Sequence, residues 1–168
     1  IDWGDSTATG GDVTDYFLGP AGMSGTIAGS HVYADDGSYI VTVCVTDSSG
    51  TTDECDTLTV SVNNAAPSVF AEPDQTADEG VVLSLDPIAF FHDLGTWDTH
   101  IATIDWGDST ASNGDVTPLS PPGDPAGMVG SIAGSHVYDN DGLYHVTVCV
   151  TDDDGAEGRD DTLTVSVN

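Results

Sequence analysis

Polar and apolar positions alternate along much of this chain. Tyr39, Val41, Val43 and Val45 alternate with Ile40, Thr42, Cys44 and Thr46; Leu58, Val60 and Val62 alternate with Thr57, Thr59 and Ser61. A period of two carried by β-branched residues predicts strands buried on one face only. Asp-Gly and Ser-Gly pairs separate these runs, and no segment carries a convincing helical period. The fold class is therefore all-β. No apolar run is long enough to cross a bilayer, so no membrane insertion is expected in this segment.

The alternation is itself repeated. IDWGDST occupies residues 1–7 and again 104–110, and IAGSHVY occupies 27–33 and again 132–138. From His31 to Asn63, 22 of 33 positions match those from His136 to Asn168, which makes the two stretches copies of one unit. Ile104 follows Ile1 by 103 positions and His136 follows His31 by 105, so the second copy carries a two-residue insertion, placed near Pro118–Pro125. The period is about one β-sandwich domain. Residues 65–103 have no counterpart ahead of Ile1. The expected organisation is thus an incomplete repeat over 1–63 lacking its first strands, a linker over 64–67, and a complete repeat over 68–168. The missing strands would come from chain upstream or from a neighbouring chain; the first is favoured.

In order, each copy carries an aromatic strand with a Gly-Asp turn, a His-x-Tyr, and a Gly-x-Tyr leading an alternating Val/Thr strand. In the second copy these are Ile104-Asp105-Trp106-Gly107-Asp108, His136-Val137-Tyr138, and Gly142-Leu143-Tyr144 followed by HVTVCVTD. This set resembles the PKD-type repeat, an immunoglobulin-like β-sandwich of extracellular proteins. The resemblance covers the second copy and the truncated first. It implies tandem immunoglobulin-like domains, serving as spacers in surface proteins or as accessory modules beside degradative enzymes. Tyr39 and Tyr144, each after an Asp-x-Gly turn, resemble a tyrosine corner.

Charge narrows the function. The chain has 29 acidic residues against one basic residue, Arg159, for a net charge of −28. That balance excludes non-specific binding to nucleic acid or to anionic membrane. Only Glu54, Glu72, Glu79 and Glu157 are glutamates; the other acids are aspartates, which suit turns and calcium loops. Salt-adapted solvation is the plain alternative reading of such a surface.

In a sandwich of this kind the domain start and two loops meet at one pole. Here these are Asn63 and Asn64, the HDLGTWD segment with Asp93 and Asp98, and the TDDDG segment with Asp152 and Asp154. Calcium-binding PKD-type modules resemble this arrangement, which implies Ca2+ at the inter-domain junction with those six residues as ligands. The TDDDG run is not an EF-hand, because Gly155 at loop position six would put Val150 at position one. The five histidines show no paired transition-metal spacing, and His31 and His136 are expected to bond locally.

Folding the hairpin around Ser48–Thr51 sets Cys44 opposite Cys55, both facing away from the buried set. A cross-strand disulfide is predicted, and with it an oxidising, extracytoplasmic setting. The matching position in the second copy is Asp160, which leaves Cys149 as a free thiol or a bridge to another chain.

No catalytic constellation is expected. Asp5-Ser6-Thr7 and Asp108-Ser109-Thr110 mimic aspartic-protease pairs but lack the following glycine, and repetition explains the duplication. Trp97, near Asp98, is read either as an exposed aromatic for stacking on sugars or as packed within its loop, and packing is the favoured expectation. The leading expectation is a structural or adhesive extracellular or cell-surface array, stiffened by calcium and able to form fibres, whose partners are adjacent repeats or copies of itself head to tail. The alternative is a carbohydrate- or protein-binding accessory module of a secreted hydrolase, with extracellular glycan as its partner. A third reading is a salt-adapted surface-layer repeat.

Overall fold

The computed structural model describes the whole chain except residues 21, 48–52 and 125 and the side chains of residues 53 and 160–162. The predicted hairpin tip at 48–51 lies outside the described residues. Two compact units emerge, Ile1–Asn63 and Asn64–Asn168. The described elements are all strands.

The first unit has four strands: β1 (Asp12–Gly19), β2 (Gly22–Ala28), β3 (Gly37–Thr46) and β4 (Asp53–Val62). β1 and β2 form one antiparallel pair, and β3 and β4 another. β3 and β4 stay in unbroken register from Gly37↔Val62 to Thr46↔Asp53, which sets Cys44 directly opposite Cys55. Those two cysteines are disulfide-bonded.

The second unit has eight strands. They are β5 (Ser68–Ala71), β6 (Gln75–Ala77), β7 (Val82–Asp93), β8 (His100–Asp105), β9 (Ala111–Pro118), β10 (Met128–Val137), β11 (Gly142–Asp152) and β12 (Glu157–Val167). Hydrogen bonding runs in the order β5-β7-β10-β9-β8-β11-β12-β6. β9 joins two layers because it changes partner along its length. Residues 111–114 pair with β8, and Asp115–Pro118 pair with β10. Gly114 permits the switch: a Cβ there would lie 2.6 Å from the Ile132 side chain. Pro67, at the end of the expected linker, is buried, so the second unit already packs before β5 begins.

Alternating residues of the two layers meet in one core. Val69, Ile88, Phe91 and Ile132 come from one layer, and Ile104, Val146, Val148, Val150, Leu163 and Val165 from the other. Burying a side chain of this size contributes about 1.5–3 kcal/mol relative to exposure.

The repeated motifs build the same aromatic ladder twice. Trp106 stacks on His136 at 4.9 Å, His136 meets Tyr138 edge-on at 4.5 Å, and Tyr138 stacks on Tyr144 at 4.3 Å. In the first unit Trp3, His31, Tyr33 and Tyr39 give 5.0, 4.7 and 4.2 Å. Tyr138 donates its hydroxyl to the Trp106 carbonyl, and Tyr144 to that of Asn140, four residues upstream, as in a tyrosine corner. The Gly-Asp turn needs its glycine. A Cβ on Gly107 (φ +80°) would stand 2.5 Å from the His145 carbonyl oxygen, and one on Gly4 (φ +83°) 2.6 Å from that of Ile40.

The second copy departs from the first in the register of its last hairpin. β11 and β12 pair Val146 with Leu163 but Val148 with Asp160, an irregularity that β3–β4 lacks. Two residues of β12, 161 and 162, thus oppose Thr147 alone, as in a bulge. The residue opposite Cys149 is consequently Arg159, not Asp160 as the repeat alignment implied. Cys149 is a buried free thiol.

Candidate metal centre

The pole of the second unit gathers the end of β7, the start of β8 and the end of β11. Asp152 pairs with His100 across β11–β8, so the two loops that follow and precede those residues leave the sheet side by side. Asp93 closes β7, Asp98 sits two residues before β8, and Asp152 closes β11. These are the buried charged residues among those described, at 1, 4 and 4% exposure. One carboxylate oxygen of each lies within 4.8 Å of the others.

Hydrogen-bond donors surround two members of this trio. Gly95 N–H donates to Asp93 Oδ1 at 3.1 Å, and His100 Nε2–H to Asp93 Oδ2 at 2.9 Å. Asn64 Nδ2 donates to Asp152 Oδ2 at 2.9 Å, and Ala156 N–H to Asp152 Oδ1 at 2.7 Å. Gly95 lies against the Asp98 carboxylate so closely that any Cβ would collide with it. Asp153 ties the two loops by accepting from Thr99 N–H at 2.8 Å.

Like charges at this spacing repel by about 3–4 kcal/mol per pair at an effective dielectric constant of 20. Burial adds a desolvation cost for each ion. A bound cation would offset both costs. The donor set consists of carboxylate oxygens with the Asn64 amide beside them, and His100 bonds one oxygen of Asp93. Such hard oxygen donors fit Ca2+ better than a transition metal.

Of the six residues named from sequence, the structure brings Asn64, Asp93, Asp98 and Asp152 together. Asn63 is the exposed last residue of the first unit. Asp154 is exposed in the β11–β12 turn beside Gly155, and one of its carboxylate oxygens lies within 4.8 Å of one of Asp98. Sequence reasoning missed His100, Gly95 and Asp153. His100 was set aside for want of a second histidine at ligand spacing, yet its place two residues after Asp98 was a usable signal.

The paired Asp-Ser-Thr segments are turns tied within their own repeats. Asp5 Oδ2 lies 2.6 Å from His31 Nε2 and Asp108 Oδ2 2.8 Å from His136 Nε2. Thr7 and Thr110 donate both N–H and hydroxyl to the other oxygen. The Thr7 hydroxyl, with help from His31, brings the Asp5 carboxyl down to about 2. Burial pushes Asp108 up, but Thr110 and His136 outweigh it and leave its carboxyl below the ordinary value. These carboxylates anchor the aromatic ladders rather than share a proton.

The eight-stranded unit, its layers joined by a switching strand and anchored by a tyrosine corner, is an immunoglobulin-like sandwich of the repeat class. The PKD domain family matches residues 2–62 and 123–167, and the chain belongs to that family. It is also similar to the solved PKD domain of an M14-like peptidase from Thermoplasmatales archaeon SCGC AB-540-F20. That match has 20% identity and a TM-score of 0.40, covering 62% of this chain and 98% of that one. No curated protein matches the chain.

Proposed function

We propose that this chain is a structural or adhesive tandem-repeat segment of a secreted or cell-surface protein, rigidified by calcium where one repeat follows the next. Adjacent repeats or copies of the chain would meet head to tail, which suits growth into extracellular fibres. Membership of the PKD domain family supports an extracellular, non-catalytic module. The Cys44–Cys55 bridge supports an oxidising setting.

The observation that carries the reading is the buried Asp93, Asp98 and Asp152 trio with Asn64 bonded to it. Asn64 follows the last residue of the first unit directly in the chain. A calcium ion held by Asp93, Asp98 and Asp152, with the Asn64 side chain among its ligands, would fix the point where the chain enters the second unit. It would also neutralise a repulsion that otherwise loosens both loops. Calcium supplies positive charge and accepts the six to eight oxygens this pole can muster with water.

The test is a set of thermal melts in calcium, in magnesium and in EDTA at matched ionic strength. Metal bound only by the folded state raises the melting temperature, by about 2.7 kcal/mol of stability at 100 times its Kd. A calcium-selective rise that disappears in Asp152→Asn supports the site. Three coincident curves would sink it and leave the aspartates as solvated acid.

A further inference from the structure

We propose that the outer face of the layer β5-β7-β10-β9 is a lateral contact between two copies of this chain. Register places its side chains. Val69 pairs with Phe91 and both are buried, so the next pair, Phe70 and Phe90, points away from the core. Phe90 pairs in turn with Ser131 of β10, and Ser131 with Thr117 of β9. Val129 lies two residues from Ser131 on the same side, and the Leu119 N–H donates to its carbonyl at 2.8 Å. Phe70, Phe90, Val129 and Leu119 are 57, 36, 36 and 57% exposed. Facing and diagonal neighbours on a sheet stand within reach of aromatic side chains, so these four make one apolar patch.

The patch is also ordered. Val129 N–H donates to the Ser120 hydroxyl at 2.8 Å, which fastens the chain leaving β9 to β10 at the patch's edge. A surface fixed in advance loses little freedom on binding. Exposed apolar groups clustered in this way mark protein contacts, and phenylalanine is enriched at their centres.

Charge decides the partner. β5 and β10 carry no acidic residue, and β7 and β9 carry only Asp86, Asp93 and Asp115, of which Asp93 is buried. Asp86 stands four residues along β7 from Phe90 and Asp115 two along β9 from Thr117, both towards the Gly134 end. Two copies of a chain with a charge of −28 repel wherever carboxylates meet, and least where there are none. A basic partner would find no acid in the patch, and an anionic one is repelled by the rest of the chain. A second copy offers the same four apolar side chains, and a two-fold axis makes that contact self-complementary. The pairing rests on the proposed array, which supplies the copies, but not on its calcium. Thermal melts report on the metal, and sedimentation reports on this face.

The experiment is sedimentation equilibrium of the whole chain in calcium, from micromolar to millimolar concentration. It is run in about 0.1 M and about 1 M NaCl, which shortens the screening length from about 10 to about 3 Å. A monomer–dimer equilibrium that tightens in high salt is expected. Phe70→Asp should weaken it roughly tenfold or more, as loss of a central aromatic anchor does, and leave the melting temperature unchanged. Phe90→Thr, which keeps a strand-forming residue, should weaken it several-fold. Leu143→Asp, on β11 in the other layer and 71% exposed in the parent, should leave the dimer intact. The proposal is overturned if the chain stays monomeric at millimolar concentration in high salt, if Phe70→Asp dimerises as the parent does, or if Leu143→Asp weakens the dimer equally. A monomer that binds a hydrophobic dye through Phe70 would assign the patch to a different partner and overturn it too.

Discussion

The two repeats place nearly the same residues in two different surroundings. Leu163 and Ile132 are fully buried, while their counterparts Leu58 and Ile27 are 52 and 39% exposed. The difference is not in the aromatic ladder, whose spacings in the two units agree to within a few tenths of an ångström. It lies in the layer formed by β5 and β7, which covers the core face in the second unit. Local geometry in this fold is thus set by hairpin and ladder. Burial is set by a layer far away in sequence.

The sharpest way to break that comparison is to remove the same leucine from each unit. Leu163→Ala should cost about 2–5 kcal/mol, because it empties a closed core. Leu58→Ala should cost under about 1 kcal/mol, since half of that side chain already meets water. Hydrogen exchange read separately over β11–β12 and β3–β4 measures both. Equal losses would mean that the Leu58 face is covered in solution.

The disulfide sharpens the comparison from the other side. Cys44–Cys55 closes a loop with a sequence separation of 11, and the second unit manages without such a bridge. By chain-entropy reasoning its loss should destabilise β3–β4 by about 2–3 kcal/mol. Reduction, or Cys44→Ser with Cys55→Ser, should speed exchange across Gly37–Val62 and leave Gly142–Val167 unchanged. Faster exchange in both stretches would show that the two units do not hold their stability separately.

These contrasts also mark how far the sequence could be read. The alternation of Val and Thr made the strands legible, and duplication made the two copies legible. The convergence of Asn64, Asp93, Asp98 and Asp152 was legible because strand ends in a sandwich fall at shared poles. The Asp98–Gly95 contact and the Asp153–Thr99 bond were not, since both depend on loop backbone that no periodicity encodes. Repetition itself misled at Cys149. Copying the first unit's register predicted Asp160 opposite it, whereas the shift in β11–β12 places Arg159 there. Trp97 misled through composition, because a tryptophan is usually covered and this one is not.

The smallest expected effect concerns acid. Asp5 carries a carboxyl lowered to about 2, against an unfolded value of about 3.9, and Asp108 is lowered as well. A carboxylate depressed by folding stabilises the protein above its unfolded pKa, and that contribution is lost as pH falls through the folded value. The ladder anchors should therefore weaken between about pH 4 and pH 2, Asp5 failing at the lower end of that window. Asp5→Asn should flatten this limb of the first unit's pH–stability curve, while Asp108→Asn does the same for the second. Carboxylate titration by NMR gives the check. If Asp5 titrates near the ordinary value, its bonds to Thr7 and His31 are not held in solution, and the first unit's ladder stands without its anchor.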